Sequence, residues 1–224
     1  MRIFEHKSIR LDELDTQTIG GKRHYVTPEG TFPSITSVLS VLSRDSIAKW
    51  RARVGEKEAN RISTQAARRG TNVHKMCEDY LNNELDLNKF LPHEKAMFKT
   101  IQKELDDNIG LIYAQELPLY SSYLGIAGRV DLIAEYGGRL SIIDFKTSSK
   151  LKQKHYIHSY FQQGAAYAVM FEERTGIPVD KIVIVITVEN EDTAQVFVEK
   201  RDNWISELQQ TIKLFKDTYG IPST

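Results

Sequence analysis

Asp131, Asp144 and Lys146 are the residues whose types and spacing offer chemistry. Asp131 ends the run Gly128-Arg129-Val130-Asp131, and thirteen residues later comes Asp144-Phe145-Lys146. Between them Gly137-Gly138 is a hairpin turn signal, which makes the two runs neighbouring strands. Asp144 and Lys146 lie two apart on an extended chain, so both project from one face. Two carboxylates beside an ammonium group suit hydrolysis of a phosphodiester. The acids bind Mg²⁺ through oxygen, and the metal brings positive charge and an activated water. A lysine there positions or deprotonates the water, or neutralises charge building on the phosphate. A lone Asp-x-Lys is more often a structural salt bridge at a strand end, so the triplet needs company.

Two other segments supply it. In Gly70-Thr71-Asn72-Val73-His74 a glycine opens a helix on which His74 and Glu78, four apart, share a face. Imidazole is an unusual partner for Mg²⁺ and a better one for Mn²⁺. In Gln163-Gly164-Ala165-Ala166-Tyr167 an amide and a phenol again stand four apart, able to orient a phosphate or an acid. The glycine and alanines between them allow close packing on a sheet. Taken singly, each pair reads equally as an ordinary polar stripe on a helix.

The elements that must position these groups follow from periodicity and punctuation. Residues 1–33 are irregular or hairpin-like, with turn signals at Gly20-Gly21 and Pro28-Glu29-Gly30. Ser34 and Thr36 precede an apolar run suited to a capped helix, and helices continue to about residue 109. Strands are expected over 111–120, 124–136 and 140–144, a helix over 156–175, strands over 181–188 and 195–198, and an amphipathic helix over 201–217. The continuous apolar run 181–188 marks the centre of a covered sheet. The fold class is α/β: a central mixed β-sheet flanked by helices, with an N-terminal helical elaboration. One domain is expected over 1–224. In it 1–109 form a helical region bordering the substrate groove, 110–200 the core sheet and helix, and 201–224 a C-terminal helix.

Composition is permissive. The formal charge is zero, with 30 basic and 30 acidic residues, so any affinity for nucleic acid has to come from local charge. The single cysteine, Cys77, excludes an intrachain disulfide and a four-cysteine metal site. With no long apolar run and no leader-like N-terminus, a cytoplasmic protein is expected, without a membrane partner.

Taken in order, Gly-x-x-x-His, Gly-Arg-Val-Asp, Asp-x-Lys and Gln-x-x-x-Tyr resemble the RecB-like branch of the PD-(D/E)xK nuclease superfamily, whose core is that of the restriction endonucleases. The likeness is to the phage and mitochondrial genome maintenance exonucleases of that branch. It covers residues 27–200, including Pro33-Ser34-Ile35-Thr36 and Trp50-Arg51. It implies a Mg²⁺- or Mn²⁺-dependent exonuclease on DNA, single-stranded or with a free end, working beside replication, recombination or repair proteins, in the host cytoplasm if phage-encoded. By the same likeness His74, Asp131, Asp144 and the Phe145 carbonyl would be metal ligands and Lys146 the catalytic lysine. Gln163 and Tyr167 would be accessory residues and Glu116 an additional acid. The iron–sulfur clasp of some relatives needs four cysteines and is not expected here.

For holding DNA, Ser34 and Thr36 at a helix N-terminus favour a phosphate, and Trp50 with Arg51 could stack a base and contact the backbone. Arg68, Arg69, Arg129 and Lys150 adjoin the proposed site. An ordinary helix cap, a buried tryptophan and solvated charges are the simpler uses of these residues. A structure-specific or restriction-like endonuclease, or an inactive nucleic-acid-binding protein on the same fold, are the alternatives.

Overall fold

The computed structural model describes residues 2–7 and 9–220. Three short antiparallel strands, β1 (Thr16–Ile19), β2 (Lys22–Thr27) and β3 (Gly30–Pro33), turn at the glycines expected from sequence. The N-terminal region is therefore not wholly helical. Helix α1 (Ile35–Val54) begins at Ser34, whose hydroxyl accepts the Ser37 N–H. Helix α2 (Glu56–Leu81) follows Gly55, and α3 (Pro92–Asn108) closes the helical stretch.

The central sheet contains β4 (Ile109–Ser121), β5 (Ile126–Tyr136), β6 (Arg139–Ser148), β7 (Lys181–Val188) and β8 (Gln195–Lys200), in that spatial order. All its neighbours are antiparallel except β6 and β7. That parallel pair requires a crossover, which is α4 (His158–Thr175). The C-terminal helix is α5 (Ile205–Tyr219), its first expected turn being a 3₁₀ segment at 201–204; residues 221–224 of that expectation lie outside the described residues. Among the described residues no helix is long and apolar enough to cross a membrane.

The sheet is covered on both faces, which is why β7 reads as an unbroken apolar run. Ile182, Ile184 and Ile186 point into a core shared with α1, α4 and α5, whereas Val183 and Val185 meet Val73, Met76, Cys77, Phe98 and Ile101 of α2 and α3. Gly164 lets α4 approach closely, since a Cβ there would stand 2.4 Å from Ile182 Cγ2. The small β1–β3 sheet packs on the far end of the β4–β5 hairpin through Tyr25, Tyr120 and Ala127. Helices α2 and α4 thus lie on opposite faces of the strands that carry Asp131 and Asp144.

Candidate active site

The site forms where the ladder of the central strands is interrupted. Pairing of β4 with β5 includes Gln115 with Leu132 and Leu117 with Val130, but omits the rung between, Glu116 opposite Asp131. At that rung both strands exchange faces. Ala114 and Ile133 point to the α1/α4/α5 core, and so do Leu117 and Val130, against the strict alternation of a flat strand. Glu116 carries the change in its backbone, with φ +48°, a region uncommon for a residue with a side chain. On the other side, β5 and β6 pair as far as Leu132–Ile143, after which the Phe145 N–H donates to Asp131 Oδ2 (2.9 Å). The interruptions free three neighbouring strands to bring Glu116, Asp131 and Asp144 toward one place.

His74 reaches the same place from α2. Its Nδ1 lies 3.5 Å from Asp131 Oδ2, and its ring stands edge-on to Phe145, 6.3 Å between centroids. One donor atom each of His74, Glu116 and Asp131 lie within 4.8 Å of one another. This set differs from the one the resemblance implies: Glu116 is in it and Asp144 is not. Asp144 lies behind, fully buried and ion-paired with Lys146. Lys146 Nζ partners its Oδ2, and among the described residues its Oδ1 has no hydrogen-bond partner. A buried carboxylate with one oxygen unpaired, beside an imidazole and two more acids, is the donor set expected of a divalent-cation site.

Burial, and then charge crowding, shifts the protonation of these groups. Burial, reinforced by Asp131 and Glu78, pushes Glu116 up to about 7. Burial likewise pushes Asp144 up to about 6, against the pull of Lys146. Burial alone would lower Lys146, but the carboxylates of Asp144 and Asp131 outweigh it and hold the ammonium above its usual range. Lys146 also lies over the Tyr160 ring, 5.3 Å from its centroid. Tyr160 is a neighbour that no motif in the sequence points to.

Helix α4 closes the site from the opposite face. Gln163 Nε2 donates to Tyr167 Oη (3.2 Å), and burial keeps that phenol protonated. Tyr167 lies against β5 because residue 128 is glycine. A Cβ there would stand 2.7 Å from the Tyr167 ring and 3.0 Å from Ile35 Cγ2. The glycine of Gly-Arg-Val-Asp and the tyrosine of Gln-x-x-x-Tyr are thus one packing unit. Gly70, expected to open a helix, instead lies in the interior of α2 beside Thr147, with only ordinary contact.

These groups line a cavity of ≈ 810 Å³. Its walls include His74, Lys75 and Glu78 from α2, Glu116, Arg129, Asp131 and Lys146 from the sheet, and Gln163 and Tyr167 from α4. Thr36 lines it as expected, accepting from Arg23 Nη2 (3.2 Å); Arg23 and Tyr25 of β2 are wall residues that sequence reasoning missed. The other expected DNA contacts are elsewhere or already engaged. Ser34 is fully buried and occupied with capping α1. Arg51, next to half-buried Trp50, pairs with Glu56 and Asn60 at the α1–α2 corner. Arg69 pairs with Glu189, and Arg68 faces the same α2–α3 crevice rather than the cavity. Lys150 is exposed just beyond β6, its backbone hydrogen-bonded to Ser148 Oγ. Arg129 donates to the Glu116 carbonyl and pairs with Glu13.

A covered five-stranded mixed sheet with acids and a lysine at an interrupted edge is the restriction-endonuclease-like core. Residues 88–218 match the family model of the PD-(D/E)XK nuclease superfamily, and the chain belongs to that superfamily. It is similar to mitochondrial genome maintenance exonuclease 1 of Xenopus tropicalis, 32% identical over 151 residues, which are 62% of this chain and 42% of that protein. The Mus musculus protein of the same name is 28% identical over 131 residues, 54% of this chain and 38% of that one. The matches span less than half the length of these relatives. A solved structure of a candidate exonuclease from Eubacterium rectale superposes with a TM-score of 0.45 at 14% identity, covering 69% of each chain.

Proposed function

We propose that this protein is a divalent-metal-dependent exonuclease that hydrolyses DNA phosphodiesters, acting on single strands or free ends. The observation that carries the reading is the grouping of His74, Glu116 and Asp131, with the buried Asp144–Lys146 ion pair behind it. Those three donors would hold the cation, with Asp144 behind them as the further ligand the resemblance implies, and the imidazole among them favours Mn²⁺ over Mg²⁺. A cation bound there supplies positive charge to the scissile phosphate and acidifies a water. Lys146, kept as an ammonium ion, donates to the phosphate oxygen on which charge develops or to the attacking water. Tyr167, kept protonated, has an O–H to donate, and Gln163 fixes its orientation. Phe145 orients Asp131 through its N–H, and its carbonyl would join the ligand set. Arg23 and Thr36 on the cavity wall suit a phosphate of the bound strand. DNA rather than RNA is favoured by the curated relatives, whose name ties them to genome maintenance. Work beside replication, recombination or repair proteins is part of the same reading.

The experiment is a time course on end-labelled linear and covalently closed single-stranded DNA, with linear duplex in parallel and Mn²⁺ or Mg²⁺ supplied to metal-stripped protein. Linear single strands should shorten from an end while circles persist. Cut circles would turn the reading to an endonuclease, and no cleavage with either metal would reject it.

A further inference from the structure

We propose that Arg129 and Glu13 are a positioning pair that holds Glu116 in its left-handed backbone, making the N-terminal segment part of the metal site. The inference rests on the metal-dependent reading above. Glu116 enters the donor cluster only because its backbone turns out of the ladder, a conformation that persists only where its surroundings enforce it. The turned residue leaves its carbonyl without a rung partner, and Arg129 Nη1 donates to it. The other terminal nitrogen, Nη2, is tied to the Glu13 carboxylate. Both ends of the guanidinium fork are therefore engaged in scaffolding, although Arg129 lines the cavity and stands two residues before Asp131. A planar fork can make both contacts at once, as a lysine ammonium group on a flexible stem does not.

Glu13 is delivered by backbone pairing. The Ile112 N–H donates to the Glu5 carbonyl, and the Lys7 and Ile9 N–H groups donate to the Ile112 and Tyr113 carbonyls. The N-terminal segment thus runs along the free edge of β4 toward the interrupted rung, and Leu14 and Thr16 then join the cavity wall. Arg129 therefore acts on the site through Glu116, not through substrate.

The test measures Mn²⁺ binding to metal-stripped protein by titration calorimetry without DNA, together with DNA cleavage against Mn²⁺ concentration. Arg129→Met should weaken Mn²⁺ binding by about 10- to 100-fold, the usual effect of losing a residue that orients a ligand. Cleavage should recover at saturating Mn²⁺, with the KM for DNA little changed. Arg129→Lys, which keeps the charge and loses the fork, should show a similar loss and serves if the methionine variant does not fold. Glu13→Gln should weaken binding in the same direction by less. Unchanged Mn²⁺ affinity in Arg129→Met and Arg129→Lys would overturn the proposal. So would a raised KM for DNA at normal Mn²⁺ affinity, which would place Arg129 on a phosphate. Wild-type protein that binds no Mn²⁺ would reject the metal-dependent reading as well, whereas equal affinities reject this proposal alone.

Discussion

Replacing Glu116 with Gln should stabilise the metal-free protein while removing its response to metal. The carboxyl of Glu116 is raised from 4.5 to about 7, first by burial and then by the charges of Asp131 and Glu78. A folded-state pKa above the unfolded one means that the folded protein holds an extra proton between about pH 4.5 and 7. Stability from this group is therefore present below that window and lost as pH rises through it. The full rise from 4.5 to about 7 corresponds to about 3.4 kcal/mol. Glu116 is only half-buried, so screening reduces the expectation to about 1–2 kcal/mol. For a chain of this size that is about 2–8 °C in Tm. Thermal melts of wild type and Glu116→Gln in chelator should coincide near pH 4.5 and separate progressively up to pH 8, with the variant the more stable. Added Mn²⁺ should then raise the wild-type Tm and leave the variant almost unmoved. A variant no more stable than wild type at pH 8, or a gap independent of pH, would refute the crowded-acid account.

Three further substitutions probe the frame. Gly128→Ala forces Tyr167 off β5 and should cost about 1–3 kcal/mol in chemical denaturation, with a loss of cleavage larger than the loss of folded protein explains. Tyr167→Phe keeps the packing and removes the phenol O–H; single-turnover cleavage should fall ~10-fold or more while the melting profile stays close to wild type. Ser34→Ala removes the cap of α1 and should destabilise by about 1 kcal/mol, yet leave DNA affinity in a filter-binding assay unchanged, because that hydroxyl is buried and engaged within the chain.

The order of elements was legible because each announces itself locally. Glycine pairs turn the hairpins, apolar alternation marks β5 and β6, and the continuous run 181–188 requires a sheet covered on both faces. The residues brought together from α2, β5, β6 and α4 were legible through four short motifs in a fixed order. What stayed hidden depends on partners distant in sequence. The resemblance names Glu116 as a site acid, but nothing in Gln115-Glu116-Leu117 foretells the backbone turn that Arg129, on the neighbouring strand, accommodates. Arg69 beside the histidine motif looks available for DNA until folding sets Glu189, 120 positions away, against it. The strands β1–β3 are too short for periodicity to show, so Arg23 and Tyr25 were not recognisable as cavity walls. Asp144 keeps the face expected of it relative to Lys146, but burial and the ion pair set it behind the donor cluster rather than within it.

The central claim is that this cluster, with Lys146, is a metal-dependent nuclease site. Its most direct test is cleavage of end-labelled DNA by metal-stripped wild type and Lys146→Ala, before and after Mn²⁺ is restored. Wild type should be silent in chelator and active once Mn²⁺ returns. Lys146→Ala should bind DNA and Mn²⁺ yet cleave about 10²- to 10³-fold more slowly. Undiminished cleavage by the variant, or full wild-type activity in chelator, would contradict the account.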